Sequence, residues 1–191
     1  RHPDAVTLGV SEAASRLANL SVRTLAGSGS ETLIVGFVVS GEGGTKPVLV
    51  RGIGPSLSAF GVTGVLTDPQ LALFRGSIQI AVNDNWGESS AVDQISQVGR
   101  NVGAFSLDPR SRDAALYTGL PPGAYTAQAV GPGAAGVALV ELYEADSNPQ
   151  SRLVNVSARS LVGTGANILI AGFVVQGNAP KTLLLRAVGP T

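Results

Sequence analysis

Cysteine and methionine are both absent from this chain of 191 residues, and histidine occurs once, as His2. That excludes a disulfide framework and any thiolate metal site. It also removes the usual oxidative lesions of sulfur side chains, which suits an extracellular or cell-surface setting. A Ser-His-Asp arrangement would have to recruit His2 from the first few residues. Charge is scarce as well: Asp, Glu, Lys and Arg make up 14% of the chain, with 13 acidic and 13 basic side chains. Nucleic acid is recognised by a concentrated positive field, and a polybasic membrane anchor needs the same, so neither partner is expected. The longest apolar run, NILIAGFVV, is far shorter than the roughly 20 residues that cross a bilayer, and no membrane insertion is expected. No catalytic constellation emerges.

Glycine and β-formers are abundant. There are 25 glycines and 11 prolines, as befits many turns between short strands. The segments LANLSVR, TLIVGFVVS, KPVLVRGIG, QLALFR, SIQIAVND, AYTAQAVG and GVALVELYEA are rich in Val, Ile, Leu and Thr and bounded by turn residues, which predicts strands. In VALVELYEA the residues Val137, Leu139, Glu141 and Tyr143 alternate with Ala138, Val140, Leu142 and Glu144. TLIVGFVV is apolar throughout, as where both faces of a strand are covered. Val92, Ile95 and Val98 at three-residue spacing predict one or two turns of helix. The expected fold is all-β, a two-layer antiparallel β-sandwich with a duplicated strand segment.

The duplication is plain. Ser15–Ser56 reads SRLANLSVRTLAGSGSETLIVGFVVSGEGGTKPVLVRGIGPS, and Ser151–Thr191 reads SRLVNVSARSLVGTGANILIAGFVVQGNAPKTLLLRAVGPT. About half the positions are identical at an offset of 136 residues, which becomes 135 from Lys46/Lys181 onward. The chain therefore divides into an N-terminal segment 1–14 and a complete repeat 15–150 (motif A, 15–56, and motif B, 57–150). A partial second repeat, motif A′, covers 151–191. Within the first segment, VTLGVSEA faintly echoes the VALVELYEA that ends motif B.

The motifs RLANLSVR, LIVGFVVSG, KPVLVRGIGPSL, LTDPQLALF, NDNWG and LPPGAYTAQAVG resemble a β-sandwich repeat of bacterial secreted and cell-surface proteins, of the Verrucomicrobia type and often in tandem. The second half is similar to the pre-peptidase C-terminal type of jelly-roll domain. The resemblance implies an extracellular location and an antiparallel β-sandwich of jelly-roll type, and it carries no activity with it.

A second motif A without its own motif B leaves apolar strands needing cover. Burial of Leu153, Val156, Leu169, Ile170, Phe173, Val174, Leu183 and Leu185 is worth roughly 1.5–3 kcal/mol for each side chain, and open sheet edges invite pairing. The chain could belong to a longer tandem array, or A and A′ could build one larger sandwich around B. Alternatively, one copy could complete a neighbouring subunit through the strands holding these residues and their counterparts Leu33, Ile34, Phe37 and Val38. The last route makes the chain its own partner, a head-to-tail homopolymer that grows by strand exchange. It predicts a structural subunit of an extracellular bacterial fibre. The alternative is a repeat of a large adhesin or carbohydrate-binding protein.

Small-molecule sites are weaker. Asn83, Asp84, Asn85, Glu88 and Asp93 place hard oxygen ligands around a glycine, as Ca²⁺ prefers. Their spacing does not match an EF-hand loop, and Asx residues commonly build turns by themselves, here with Trp86 packed over the loop. Asp108, Arg110, Arg112 and Asp113 read as surface ion pairs. GSGSET and RGIGPS do not fit a phosphate-binding fingerprint. Arg51 and Arg186 are expected to bond loop carbonyls. A polysaccharide partner would need a stacking platform of Trp86, Tyr117, Tyr125 or Tyr143.

Overall fold

The computed structural model describes residues 15–189 apart from 43, 134, 148, 149 and 166, so segment 1–14, with His2, lies outside the described residues. Ten strands follow one another: β1 (Arg16–Ala26), β2 (Leu33–Gly41), β3 (Lys46–Ile53), β4 (Gln70–Arg75), β5 (Ile78–Asn83), β6 (Ala114–Leu120), β7 (Gly123–Val130), β8 (Gly136–Glu144), β9 (Ser151–Arg159) and β10 (Ile170–Gln176). All the strand ladders are antiparallel. Strands β1–β8 form two four-stranded sheets, ordered 1-8-3-6 and 2-7-4-5, which is the jelly roll expected from the sequence. Motif A supplies β1–β3, and motif B supplies β4–β8.

Alternation places one face of each sheet in the core. In β1 the buried Leu20, Val22 and Ala26 alternate with Asn19, Ser21, Arg23 and Leu25, which lie on the opposite face. They join Val35, Phe37 and Val39 of β2, Leu71 and Leu73 of β4, and Val140 and Leu142 of β8 in the central core. Phe37 stacks on Tyr125 with ring centroids 5.6 Å apart. The continuous apolar run of β2 is not covered on both faces: Val35, Phe37 and Val39 are buried, whereas Ile34, Gly36 and Val38 are half-buried. Cover on both faces belongs instead to β3 and β8. A helix, α1 (Val92–Asn101), packs Ile95 with Leu49, Trp86, Ala115 and Tyr143 on the outer side of sheet 1-8-3-6. At ten residues it is longer than the one or two turns anticipated, because Val92 and Val98 also meet this second core.

Motif A′ adds one strand to each sheet. β9 pairs with β2 and β10 pairs with β1, the two neighbouring edges at one end of the jelly roll. The sheets become 10-1-8-3-6 and 9-2-7-4-5, joined at one seam by the pair Leu17–Leu153. At the other rim β5 and β6 approach each other, so the ten strands nearly close into a barrel. The two-sheet route is thus partly realised within one chain: Leu153 is 1% exposed and belongs to the central core. The end of A′ behaves differently, for residues 177–189 form no strand.

Duplicated residues therefore sit in unlike surroundings, and truncation should separate them. Phe37→Ala should cost about 3–5 kcal/mol. Phe173→Ala, at the equivalent but exposed position, should cost about 1 kcal/mol or less in the isolated chain. Urea unfolding of the two variants checks the contrast.

Candidate assembly surface

The two copies of motif A pair reciprocally and in one register. Leu20 faces Phe173, Ser21 faces Gly172, Val22 faces Ala171 and Arg23 faces Ile170. At the counterpart positions, Val156 faces Phe37, Ser157 faces Gly36, Ala158 faces Val35 and Arg159 faces Ile34. Both ladders slip at the same place, between Leu17 and Asn19 in one and between Val38 and Val39 opposite Leu153 and Asn155 in the other. Two pairs join a residue to its own counterpart: Leu17 to Leu153, and Thr24 to Ser160, whose hydroxyl oxygens are 3.0 Å apart. Self-pairing of equivalent positions is the mark of a two-fold axis. A and A′ are thus related by a local two-fold within one chain.

Glycine permits the close approach at both ends of this joint. Gly41 has φ +144°, and a Cβ there would lie 1.9 Å from the Gln150 carbonyl oxygen. Its counterpart Gly177 has φ +128°, and a Cβ would lie 2.6 Å from Cα of Ser15. Backbone in this region favours glycine.

The symmetry extends to the strands but not to their cover. Phe37 is 2% exposed and Phe173 42%. Leu49, Val50 and Ile53 are fully buried, while their counterparts Leu184, Leu185 and Val188 are 85%, 72% and 77% exposed. Of the other residues expected to drive assembly, Ile170 and Val174 are exposed. Val156, Leu169 and Leu183 lean on the central core, half-buried. Leu33 and Phe37 are sealed in that core, and Ile34 and Val38 are half-buried on paired β2, so the first copy has no free strand to exchange. The exposed apolar surface is that of A′. A separate apolar stripe, Ile78, Ile80 and Val82, lies on the outer face of edge strand β5.

The polar partners are unequal too. Glu144, at the end of β8, accepts from Arg16 Nη1 at 2.6 Å and from the Leu153 N–H at 2.6 Å, and lies 3.6 Å from fully buried Lys46. Lys46 also bonds Asp146 at 2.7 Å. One carboxylate therefore ties both copies of motif A to β8. The counterparts of Arg16 and Lys46 are Arg152, which is exposed, and Lys181, whose ammonium donates to the Ser15 carbonyl. Among the described residues neither meets a carboxylate.

The loop proposed for Ca²⁺ is built as a turn. Asn83 donates to the Asn85 carbonyl and accepts from the Ala115 N–H at 2.9 Å. Trp86 is buried, and its indole N–H donates to the Asp108 carbonyl at 3.1 Å. Asp84 feels Asp68 and Glu88, yet among the described residues no three acidic or histidine side chains gather closely enough to hold a metal.

The surface ion pairs foreseen near residue 110 are only partly that. Arg110 pairs with Asp108 at 2.8 Å, hydrogen bonding that holds the Asp108 carboxyl down to about 2, and Arg112 pairs with Asp68 at 2.9 Å. Asp113, by contrast, is fully buried. It accepts from the Gly54 N–H at 2.8 Å and from the hydroxyls of Ser56 and Ser111, fixing the RGIGPS turn. Arg51 does bond a loop carbonyl, that of Phe105, at 2.6 Å. It also forms a buried ion pair with Glu141 through Nε and Nη2 and stacks 4.3 Å from the Phe105 ring centre. Tyr143 donates to the other Glu141 oxygen at 2.9 Å, and burial together with that carboxylate pushes its phenol well above the usual range. The sugar-stacking platform does not form: Trp86, Tyr125 and Tyr143 are buried and Tyr117 is half-buried. A cleft of about 410 Å³ beside the joint is lined by Ser40, Gly41, Glu42, Gln150 and Arg152.

Comparison of the chain with family models, curated proteins and solved structures finds no match.

Two substitutions test these roles. Glu141→Gln leaves the buried guanidinium of Arg51 without its counter-charge and should cost about 3–5 kcal/mol, read from the urea midpoint. Burial and then Asp68 raise the Asp84 carboxyl above its ordinary value. A raised acid disfavours the folded state while ionised and ceases to do so as pH falls through its folded value. Asp84→Asn should therefore raise the melting temperature at pH 7, and the gain should fade in mild acid.

Proposed function

We propose that this chain is a structural subunit of an extracellular bacterial fibre, assembling with copies of itself through the strands of motif A′. The carrying observation is the unequal burial of the duplicated motifs: side chains that build the core in one copy are presented to solvent in the other. Exposed contiguous apolar surface marks an interaction site. Because A′ and the β5 stripe are different surfaces, contact between them would be heterologous and would propagate unless its rotation closed a ring. β9 and β10 pair within their own chain, so this reading restricts exchange to the edges and faces that A′ still offers. This reading assigns the role to shape and adhesion.

The same geometry supports a second reading, a repeat of a longer surface or adhesive protein. A following motif B would cover A′ as motif B covers A. The carbohydrate-binding form of that reading loses its aromatic platform.

Light scattering and electron microscopy of the purified chain test the proposal. Particle mass should rise with concentration and regular filaments should appear. Phe173→Glu should weaken association by about tenfold or more, equal to roughly 1.4 kcal/mol, while leaving the urea midpoint nearly unchanged. A compact particle of one chain's mass at high concentration would overturn the fibre reading.

A further inference from the structure

One end of the sandwich brings an amine and two carboxylates together away from water. The β3–β8 ladder pairs Val48 with Glu144 and continues past the strands through the Ala145 N–H, which donates to the Pro47 carbonyl at 2.9 Å. Two residues further on, the same register sets Lys46 across from Asp146, on the face that carries Val48 and Leu142 into the central core. Lys46 Nζ lies 2.7 Å from Asp146 Oδ1 and 3.6 Å from Glu144 Oε2. The side chains of Lys46 and Glu144 are fully buried, and that of Asp146 is half-buried. Arg16 Nη1 donates to Glu144 Oε2 at 2.6 Å and to the Asp146 carbonyl at 2.5 Å. The Leu153 N–H donates to the other Glu144 oxygen at 2.6 Å. Both acids are thus fixed around the amine.

An ion pair withdrawn from water loses hydration that its own attraction scarcely repays, and condensation would remove both charges together. We propose that Lys46 and Asp146 join as an amide, an isopeptide bond that ties the start of β3 to the chain just beyond β8. Glu144 takes a proton from the ammonium, since a dry interior favours neutral groups. The freed lone pair of Nζ then adds to Cγ of Asp146. The Nζ–Cγ bond forms and one Cγ–O bond breaks. The departing oxygen leaves as water, with the proton Glu144 carried and a second from Nζ. Of the three ammonium protons one stays on the amide nitrogen and two go with the water, so atoms and charge balance without an oxidant or cofactor. Contact between the reacting groups is already made, and orientation of this kind supplies much of what such a condensation lacks in free solution. The exposed side of Asp146 gives the water its exit.

The second copy of the motif offers an internal contrast. Lys181, the counterpart of Lys46, donates to the Ser15 carbonyl and meets no carboxylate among the described residues. The bond therefore belongs to the first copy. Its place in the chain gives it a mechanical role. A pull applied through the two ends of the molecule would pass from Lys46 directly to Asp146, leaving residues 47–145 unloaded. The bond does not depend on self-assembly, and in a fibre it would keep most of each jelly roll out of the line of tension.

Intact mass of the purified chain tests the proposal. It should fall short of the sequence mass by one water in most molecules, and Asp146→Ala should restore the full mass. Trypsin should release one branched peptide, residues 24–51 joined to residues 113–152, with fragmentation placing the junction at Lys46 and Asp146. Glu144→Gln should slow the condensation by about a hundredfold or more, as expected for loss of a proton-transfer group, read from the growth of the lighter species after synthesis. Full sequence mass in the folded, unsubstituted chain would overturn the bond. So would a loss of water that persists in Asp146→Ala. A junction at Glu144 would overturn the choice of acid, and an unchanged rate in Glu144→Gln would overturn its part as proton carrier.

Discussion

Edge strands must be paired, covered or protected, and that constraint organises this molecule. An eight-stranded jelly roll has two open edges at the same end, here β1 and β2. Both come from motif A, and both are occupied by the strands of a second motif A. The device needs no new sequence, because strands that are neighbours in the roll but do not pair with each other serve as each other's partners once duplicated. Main-chain hydrogen bonds give the attraction, while side-chain alternation and the shared slip beside Leu17 and Leu153 fix the register.

A few buried polar groups make that arrangement specific. Glu144 bonds Arg16 and the Leu153 N–H, so one carboxylate senses both copies together with the end of β8. Lys46 lies fully buried among these acids. Such groups are costly when a partner is missing, and a shifted strand would leave several without one. The Arg51–Glu141–Tyr143 cluster plays a comparable part on the outer face beneath α1, and Asp113 does so under the RGIGPS turn.

Much of this was legible in the sequence. The strand runs, the all-β sandwich class and the duplication all follow from periodicity and repetition. β6 was missed, because AALYTGL follows the charged SRD stretch and carries a glycine that breaks its apolar pattern. Asp113 was read as a surface charge, since nothing local shows that the turn of residues 54–56 folds back over it. The buried Lys46 left a trace that could have been used: a lysine amid apolar strand residues recurs as Lys181 in the second copy. Which copy would be sealed could not be read at all. Leu33 and Leu169 look alike in sequence, and only the position of motif B decides that the first is core and the second half-covered. The Asx-rich loop shows the same limit: oxygen-bearing side chains were visible, but their use in holding β6 through Ala115 depends on tertiary placement.

The joint is annexed to edges that the jelly roll already presents, so its opening would cost the roll chiefly the Leu153 side chain and the Leu153 N–H bond to Glu144. Motif A′ contributes to the central core only Leu153 and the fringe of Val156, Leu169 and Leu183. The molecule therefore holds two layers of cooperativity: a rigid roll and a zipper at its end that loosens at lower free energy. Under tension such a zipper would part first and re-form, sparing the roll from unravelling.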